Sequence, residues 1–383
     1  MKKLIFALLA AMLLLCGCQP MGEVQRRIVV HALGIDSGER GYEISYQVFS
    51  GGASDGAPVD ADESTVITLL AQGSTLFECE ESLRLQTGKD VFLGDVELIV
   101  ISEELKNEDL TEFLRYFRES DVYLGVNVVY CKDKAKDTIG AKLEQGSATA
   151  ILLREVVEEA IRKGRAQSAR IIEISNAIEY DGEAIAIPVL SLEKGEASGK
   201  KEDDSSNKGE KSSSEEDKGE DSTVSDTTIG VFASQLVSPD GAGDTIDEST
   251  VMGVRLLRAD AERAAIRVEV PQGTASVELT NIKIKRRLTL RGGFPELSVR
   301  INGIYEIRSL PTGADEEEIR QAAQRELTEL CRKGAETLQG GDLLQIGKML
   351  RKYEPRYAES LDGDFSEVIP NTAVSVEVVL KKY

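Results

Sequence analysis

A stretch of 34 residues with almost no apolar side chains divides this chain into two parts, and each part must fold around apolar residues of its own. Residues 194–227 are mostly Lys, Glu, Asp, Ser and Gly, and acidic residues outnumber basic ones there by 11 to 6. Such a composition buries too little apolar surface to offset the entropy that is lost on ordering. We expect a disordered acidic loop inserted between two strands of one domain, or alternatively an interdomain linker.

The residues before this segment alternate between strand patterns and helix patterns. Val96–Ile101 is rich in apolar and β-branched residues, which is typical of a strand, and Val122–Cys131 is a second strand candidate. Between them, Glu103–Arg118 carries apolar residues at helical spacing. This alternation predicts an α/β or α+β first domain.

The residues after the acidic segment predict an antiparallel sheet with helices packed on it. Strand patterns recur from Ala265 to Ile307 and again at Ala373–Leu380, and Asp315–Arg332 is a helix with an acidic first turn. Gly340 and Gly341 interrupt the helical pattern, and we expect the Asp342 side chain to cap a second helix that runs to Leu350.

The amino end has the pattern of a bacterial lipoprotein signal. A basic start, Met1–Lys3, precedes the apolar run Leu4–Leu15, and the small residue Gly17 stands immediately before Cys18. The apolar run is about twelve residues long, which is too short to span a bilayer. We expect residues 1–17 to be removed and Cys18 to become the lipidated amino terminus; an ordinary secretory signal is the alternative.

The charge balance limits what can hold this protein at a membrane. The formal net charge is −21, so we expect no binding of nucleic acid or anionic lipid through bulk electrostatics. The acyl chains on Cys18 would therefore provide the attachment.

The residues that usually carry chemistry form no recognisable catalytic or metal-binding pattern in the sequence. The single histidine, His31, lies within an apolar strand pattern, where packing is its expected role. Cys79, Cys131 and Cys331 are far apart, and we expect them to be buried free thiols. The sequence therefore predicts no catalytic residues, no metal site and no cofactor.

Four segments carry a family resemblance: Arg27–Asp36 shortly after Cys18; Gly88–Leu105 with Phe113–Arg115; Gly230–Phe232 with Leu236 and Val237; and Gly341–Gly347 with Tyr353–Pro355 and the closing strand. Together they resemble the Ger(x)C family, the lipoprotein C subunits of nutrient germinant receptors in endospore-forming bacteria. The resemblance covers nearly the whole mature chain except 194–227.

The resemblance implies a protein of three jointed domains with separate sheets. Combined with the patterns above, it predicts an α+β fold with mixed or antiparallel sheets and packed helices. The predicted divisions are a signal peptide at 1–17, an N-terminal α/β domain at 18–165, a middle domain at 166–260 that carries the acidic loop 194–227, and a C-terminal domain at 261–383.

The function implied by the resemblance is that of a non-enzymatic receptor subunit acting in assembly or signal coupling during spore germination. Its implied partners are the integral-membrane A and B subunits, and its implied location is the extracytoplasmic face of the spore inner membrane. Gly341 and Asp342 would be either a structural motif or a point of contact with a partner. Alternative functions are a lipid-tethered solute-binding protein of an ABC importer, which would have two similar lobes, and a tethered hydrolase.

Overall fold

The computed structural model describes residues 27–50, 65–143, 146–147, 149–194 and 227–382. The predicted signal peptide, the lipidation residue Cys18 and residues 195–226 of the predicted acidic loop lie outside the described residues.

The chain up to Arg258 forms alternating strands and helices. In order, these are β1 (Arg27–Gly38), β2 (Gly41–Ser50), β3 (Thr65–Gly73), α1 (Leu76–Thr87), β4 (Asp90–Phe92), β5 (Leu98–Ser102), α2 (Leu110–Glu119), β6 (Asn127–Cys131), α3 (Ala135–Ile139), β7 (Lys142–Leu143), β8 (Gly146–Ser147), α4 (Ala150–Arg162), α5 (Ile171–Ser175), β9 (Ile185–Lys194), β10 (Thr227–Ser238), β11 (Gly241–Asp247) and α6 (Glu248–Arg258). A π-helical turn, Asn176–Asp181, follows α5.

The remaining residues form a second unit with fewer strands. In order, its elements are β12 (Ala264–Val270), β13 (Gly273–Arg291), β14 (Phe294–Ser309), α7 (Glu316–Glu336), α8 (Ile346–Tyr353), α9 (Pro355–Ser360) and β15 (Ala373–Lys382). A 3₁₀ turn, Thr337–Gln339, ends α7.

Among the described residues, the first unit is built on one nine-stranded mixed sheet. Its strand order is β11-β10-β9-β6-β5-β1-β2-β3, with β4 paired to β1 beside β5. The central strands β1, β5, β6 and β9 are parallel, whereas the outer strands on both sides are antiparallel. Parallel strands need both faces covered by other elements, which explains their position at the centre.

Helices cover both faces of this sheet, and the strands at its centre are accordingly apolar on both sides. All five residues of β5 and all five of β6 are buried. Ile99 and Ile101 pack with α1, α2 and α5 on one face, whereas Leu98 and Val100 pack with α3 and α4 on the other. The apolar run Val96–Ile101 is thus a buried central strand, as its pattern predicted.

The strands of the predicted middle domain continue the first sheet through a narrow contact. β6 and β9 pair only at Tyr130 with Val189 and at Cys131 with Leu190. The sheet is therefore continuous across the predicted boundary at residue 165, while the second unit has a sheet of its own. Lys194 and Thr227 are partners in the β9–β10 ladder, which is the arrangement of a loop between two strands.

The second unit packs one long helix against a four-stranded sheet. Its strand order is β12-β13-β14-β15; the first three strands are antiparallel, and β15 is parallel to β14. α7 buries one stripe against this sheet, which includes Ile319, Ala323, Leu327 and Leu330 at helical spacing. The predicted α+β class and multi-domain layout are confirmed.

The two units meet closely where α6 crosses α7, and two glycines make the approach possible. A Cβ atom on Gly253 would lie 1.8 Å from the carbonyl oxygen of Leu330, and one on Gly334 would lie 2.5 Å from the Gly253 carbonyl carbon. Both obstacles are backbone atoms, so no side chain can rotate away to make room.

We predict that Gly253→Ala lowers the free energy of unfolding by about 3 kcal/mol or more, because the added methyl group would force α6 and α7 apart. Denaturant unfolding of the purified chain measures this change. Arg325→Ala is the control, because Arg325 is exposed on α7, and it should change the midpoint little. An unchanged midpoint for Gly253→Ala would contradict the close helix crossing.

Candidate functional site

Gly341 and Asp342 lie in the loop between the 3₁₀ turn and α8, at the junction between the two units. The Gly341 φ angle of 148° favours glycine, and a Cβ atom there would lie 2.8 Å from the Ala184 Cβ at the start of β9. The Ala184 amide donates a hydrogen bond of 3.4 Å to the Asp342 carbonyl oxygen. The glycine therefore lets the loop lie directly against the first sheet.

The Asp342 side chain caps the amino end of α8, as the sequence predicted. Its two carboxylate oxygens each accept a hydrogen bond of 2.7 Å, one from the Ile346 amide and the other from the Gly347 amide. Only 4% of Asp342 is exposed. Burial raises the pKa of its carboxyl above the ordinary value, although both amides and the nearby Arg258 and Arg286 act to lower that pKa.

Two arginines bind the carbonyl oxygens of the same loop. Arg258, the last residue of α6, donates from Nη1 to the Leu343 carbonyl at 3.1 Å, and Arg286 of β13 donates from Nη2 to the Leu344 carbonyl. A buried carbonyl without a partner costs free energy, so these guanidinium groups stabilise the loop conformation.

The start of α8 is hydrogen-bonded to the segment that leads into β9. Gln345 donates from Nε2 to Glu183 Oε2 at 3.0 Å, and Lys348 Nζ lies 3.2 Å from Asp181 Oδ2. Arg351 donates from Nη2 to the Asp181 carbonyl at 2.7 Å. Two of these contacts reach the last residue of the π-helical turn, Asp181, and the third reaches Glu183 just after it, so all three join the second unit to the first.

A second bridge joins α6 to the end of α4. Arg255 donates from Nη1 to the carbonyl oxygens of Ile161 and Ala166, the latter at 3.1 Å, and from Nε to Asp260 Oδ1 at 3.1 Å. The same guanidinium group therefore holds both the chain before α5 and the turn after α6. We call the whole set of contacts around Asp342, Glu183 and Arg255 the junction.

Glu183 is the residue of the junction whose side chain is least well paired. Only 3% of it is exposed, and its Oε1 atom has no hydrogen-bond partner within the described residues. Burial raises the pKa of its carboxyl, and the neighbouring Asp342 and Asp181 raise it further, whereas Gln345 and Lys348 lower it. The ionised form of Glu183 is therefore disfavoured in the folded protein.

The other residues singled out from the sequence lie away from the junction. His31 is half-buried on β1, and its ring centroid is 4.5 Å from that of Phe49. Cys79, Cys131 and Cys331 are buried free thiols, as predicted, and burial raises the pKa of each, to about 11 for Cys79 and about 12 for the others. Thiols with such pKa values are protonated at neutral pH and are poor nucleophiles.

Sequence reasoning did not find Glu183, Gln167 or the two arginines of α6. Glu183 directly precedes a strand pattern and stands among acidic residues, so nothing local marks it as buried. The one available signal was the pair Arg255 and Arg258 at the end of an otherwise apolar helix, where basic side chains can bind carbonyl oxygens.

Comparisons with known proteins identify the class of this fold. A protein described as "Crystal Structure of the GerBC protein" matches with a TM-score of 0.55 and 13% sequence identity, over 91% of this chain and 96% of that chain. The two chains therefore share a fold. A search of curated proteins found no match.

Two sequence models of one family match most of the chain. "Spore germination protein N-terminal domain" matches residues 21–192, and "Spore germination B3/ GerAC like, C-terminal" matches residues 240–381. The chain belongs to this spore germination family, as the resemblance indicated. In the described part of the chain, no helix is long and apolar enough to cross a membrane.

We predict that Asp342→Ala lowers the free energy of unfolding by about 2–4 kcal/mol. The substitution leaves two amides of α8 without a hydrogen-bond partner, and it removes the negative charge that lies near Arg258 and Arg286. Asp342→Asn should cost less, since its amide oxygen keeps one of the two bonds. Asp315 is a matched control: it occupies the N-cap position of α7 without a side-chain hydrogen bond. Asp315→Ala should cost less than about 0.5 kcal/mol, and equal losses for Asp315→Ala and Asp342→Ala would contradict the capping role.

We also predict that Glu183→Gln stabilises the protein at about pH 8 and that this gain disappears towards pH 4.5. The pKa of Glu183 is raised on folding, so its proton stabilises the folded state at low pH, and this stability is lost as the pH rises through the folded pKa. Gln carries no charge and can still accept from Gln345. Thermal unfolding of the parent chain and the variant between pH 4.5 and pH 8 measures the difference in their stability. A difference that grows as the pH falls would contradict the prediction.

Proposed function

We propose that this protein is a non-enzymatic, membrane-anchored lipoprotein subunit of a spore nutrient germinant receptor, acting in receptor assembly or signal coupling. The observation that carries the proposal is the match of residues 21–192 and of residues 240–381 to models of one spore germination family. The proposed partners are the integral-membrane A and B subunits of the receptor. The proposed location is the extracytoplasmic face of the spore inner membrane.

The anchor in this proposal is Cys18, and its distance from the fold limits where the body can lie. Eight residues, 19–26, separate Cys18 from the first residue of β1. Eight extended residues span at most about 28 Å, so the first sheet would stay close to the membrane surface. Two acyl chains hold a protein at a bilayer far more firmly than one chain does. A chain with a net charge of −21 is not attracted to anionic lipid headgroups, so acyl chains are a suitable means of attachment.

The junction supports a role in coupling rather than in catalysis. Its charged groups are largely engaged in holding the loop before α8, the π-helical turn and α6 together. A partner that displaced one unit would act on the other through these hydrogen bonds. Coupling between two sites needs contacts that differ between two conformations of the protein. Hydrogen bonds between the two units could provide such contacts.

A groove beside the capped loop is our proposed point of contact with a partner. Gly341 and Asp342 line a groove of about 600 Å³ together with Tyr180, Arg351 and Phe365. Tyr180 is 76% exposed, although aromatic side chains are usually buried or in contact with partners. In this proposal the backbone of Gly341 shapes the groove, while the Asp342 carboxylate holds the loop.

The alternative of a solute-binding protein for an ABC importer is less well supported. That class is expected to show two similar lobes, whereas among the described residues the main sheets of the two units have nine and four strands and different strand orders.

We predict that Cys18→Ala abolishes incorporation of a labelled fatty acid and reduces germination of spores that carry it as their sole copy, because the body would no longer be held beside its membrane partners. Cys16→Ala is the matched control and should keep both the label and germination. Fatty-acid labelling, membrane fractionation and loss of spore refractility measure these outcomes. Full germination with unlabelled protein would overturn the role of the anchor.

A further inference from the structure

A polar cleft of about 360 Å³ lies at the junction, and Asp181 and Ala184 line both this cleft and the groove of Gly341. It is enclosed by the end of α4, the π-helical turn, the start of β9 and the end of α6, and Gln345 and Lys348 of the second unit close it. Its volume is in the lower range of pockets that bind small molecules. The cleft therefore has room for a small ligand but not for a peptide.

Three of the four carboxylates that line the cleft already have partners. Glu173 accepts from Ser168, Asp181 pairs with Lys348, and Asp260 accepts from Arg255. The fourth carboxylate, Glu183, accepts one hydrogen bond from the neutral side chain of Gln345, and within the described residues no cationic group forms an ion pair with it. The cleft thus contains one buried carboxylate whose charge is not matched by a hydrogen-bonded cation.

Two acceptor atoms in the cleft wall lack hydrogen-bond partners in the described part of the protein. They are Glu183 Oε1 and Gln167 Oε1, on side chains that are 3% and 6% exposed. Leaving a buried acceptor unpaired costs about 1–3 kcal/mol, and more for a charged group. Natural structures contain few such atoms, and those that occur call for an explanation.

A donor without a hydrogen bond lies in the same cleft. Arg258 Nε lies 3.4 Å from Asp260 Oδ2, which is an ion-pair contact without hydrogen-bond geometry. The cleft therefore presents two acceptors that lack donors and one donor that lacks a well-aligned acceptor. A ligand that satisfies all three needs a cationic donor group and an oxygen atom.

We propose that this cleft binds a small molecule that carries a primary ammonium group. An ammonium ion has three donors and no acceptor, which suits the free oxygens of Glu183 and Gln167. A hydroxyl or carbonyl oxygen elsewhere in the ligand accepts from Arg258. Because the Glu183 side chain is covered by Gln345, the ligand enters as the Gln345 side chain moves aside.

The position of the cleft gives the bound ligand a physical consequence. Glu183 and Gln167 belong to the first unit, whereas Gln345, which covers Glu183, belongs to the second. An ammonium group on Glu183 would compete with the Gln345 amide and so weaken one of the hydrogen bonds that join the units. This binding site rests on the described residues alone and does not depend on lipid attachment or on receptor partners.

Ligand-observed NMR on the purified full chain tests the proposal, with 2-aminoethanol as the probe and ethylene glycol as its neutral isostere. We expect saturation transfer to 2-aminoethanol and a dissociation constant at least about tenfold lower than that of ethylene glycol, since a hydrogen bond to a charged group contributes about 1.5–3 kcal/mol. Equal binding of the two probes, or no binding of either, would overturn the proposal.

Variants locate the site and separate charge from hydrogen bonding. Glu183→Gln should weaken 2-aminoethanol binding at least about tenfold while the protein remains folded, and Gln167→Leu should weaken it without affecting the Gln345 contact. Glu39→Gln, on the exposed β1–β2 turn, is the control and should bind like the parent chain. Unchanged affinity for 2-aminoethanol in both cleft variants would show that the site is not the one proposed. Loss of germination in Cys18→Ala spores has no bearing on these outcomes.

Discussion

The joining of the two units depends on satisfying the backbone of one buried loop. Residues 342–344 are buried at the junction of the two units, so their carbonyl and amide groups need partners from the protein. Asp342 pairs with two amides of α8, and Arg258 and Arg286 bind the next two carbonyl oxygens. These partners come from α6, β13 and the loop itself. Of these partners, Arg258 belongs to the first unit, so its hydrogen bond joins the two units directly. The close crossing of α6 and α7 and an apolar core that contains residues of both units also fix their relative position.

Much of the local structure could be predicted from the sequence because its signals are local. Val96–Ile101 is apolar and β-branched, and β5 is indeed fully buried at the centre of the sheet. An aspartate just after two glycines predicted the cap of α8, although the helix begins only at Ile346 because the Asp342 side chain reaches forward to its first amides. The sequence also predicts a helix that Ser74 caps; in the structure Thr75 caps this helix, α1, while the Ser74 amide donates to the Glu78 carboxylate in the same turn.

The candidate site could not be predicted, because burial and pairing at the junction are tertiary properties. Glu183 is covered by Gln345, which lies 162 residues further along the chain. Similarly, nothing near Val189 indicates that β9 pairs with β6, and a two-residue ladder leaves no periodic signal in either strand. The apolar face of a helix or strand can be predicted from a single sequence. Which polar side chain will be buried by a distant part of the chain cannot be predicted in this way.

The amino-terminal strand has a mechanical consequence for a protein that is held at its amino end. β1 is paired on both sides, antiparallel to β2 and parallel to β5, and its first residues also pair with β4. A force applied at Arg27 therefore pulls β1 along its own axis, and the hydrogen bonds of all three ladders resist it together instead of opening one at a time. Tension from the tether proposed at Cys18 would be distributed through the middle of the sheet, so the fold would bear load at that end.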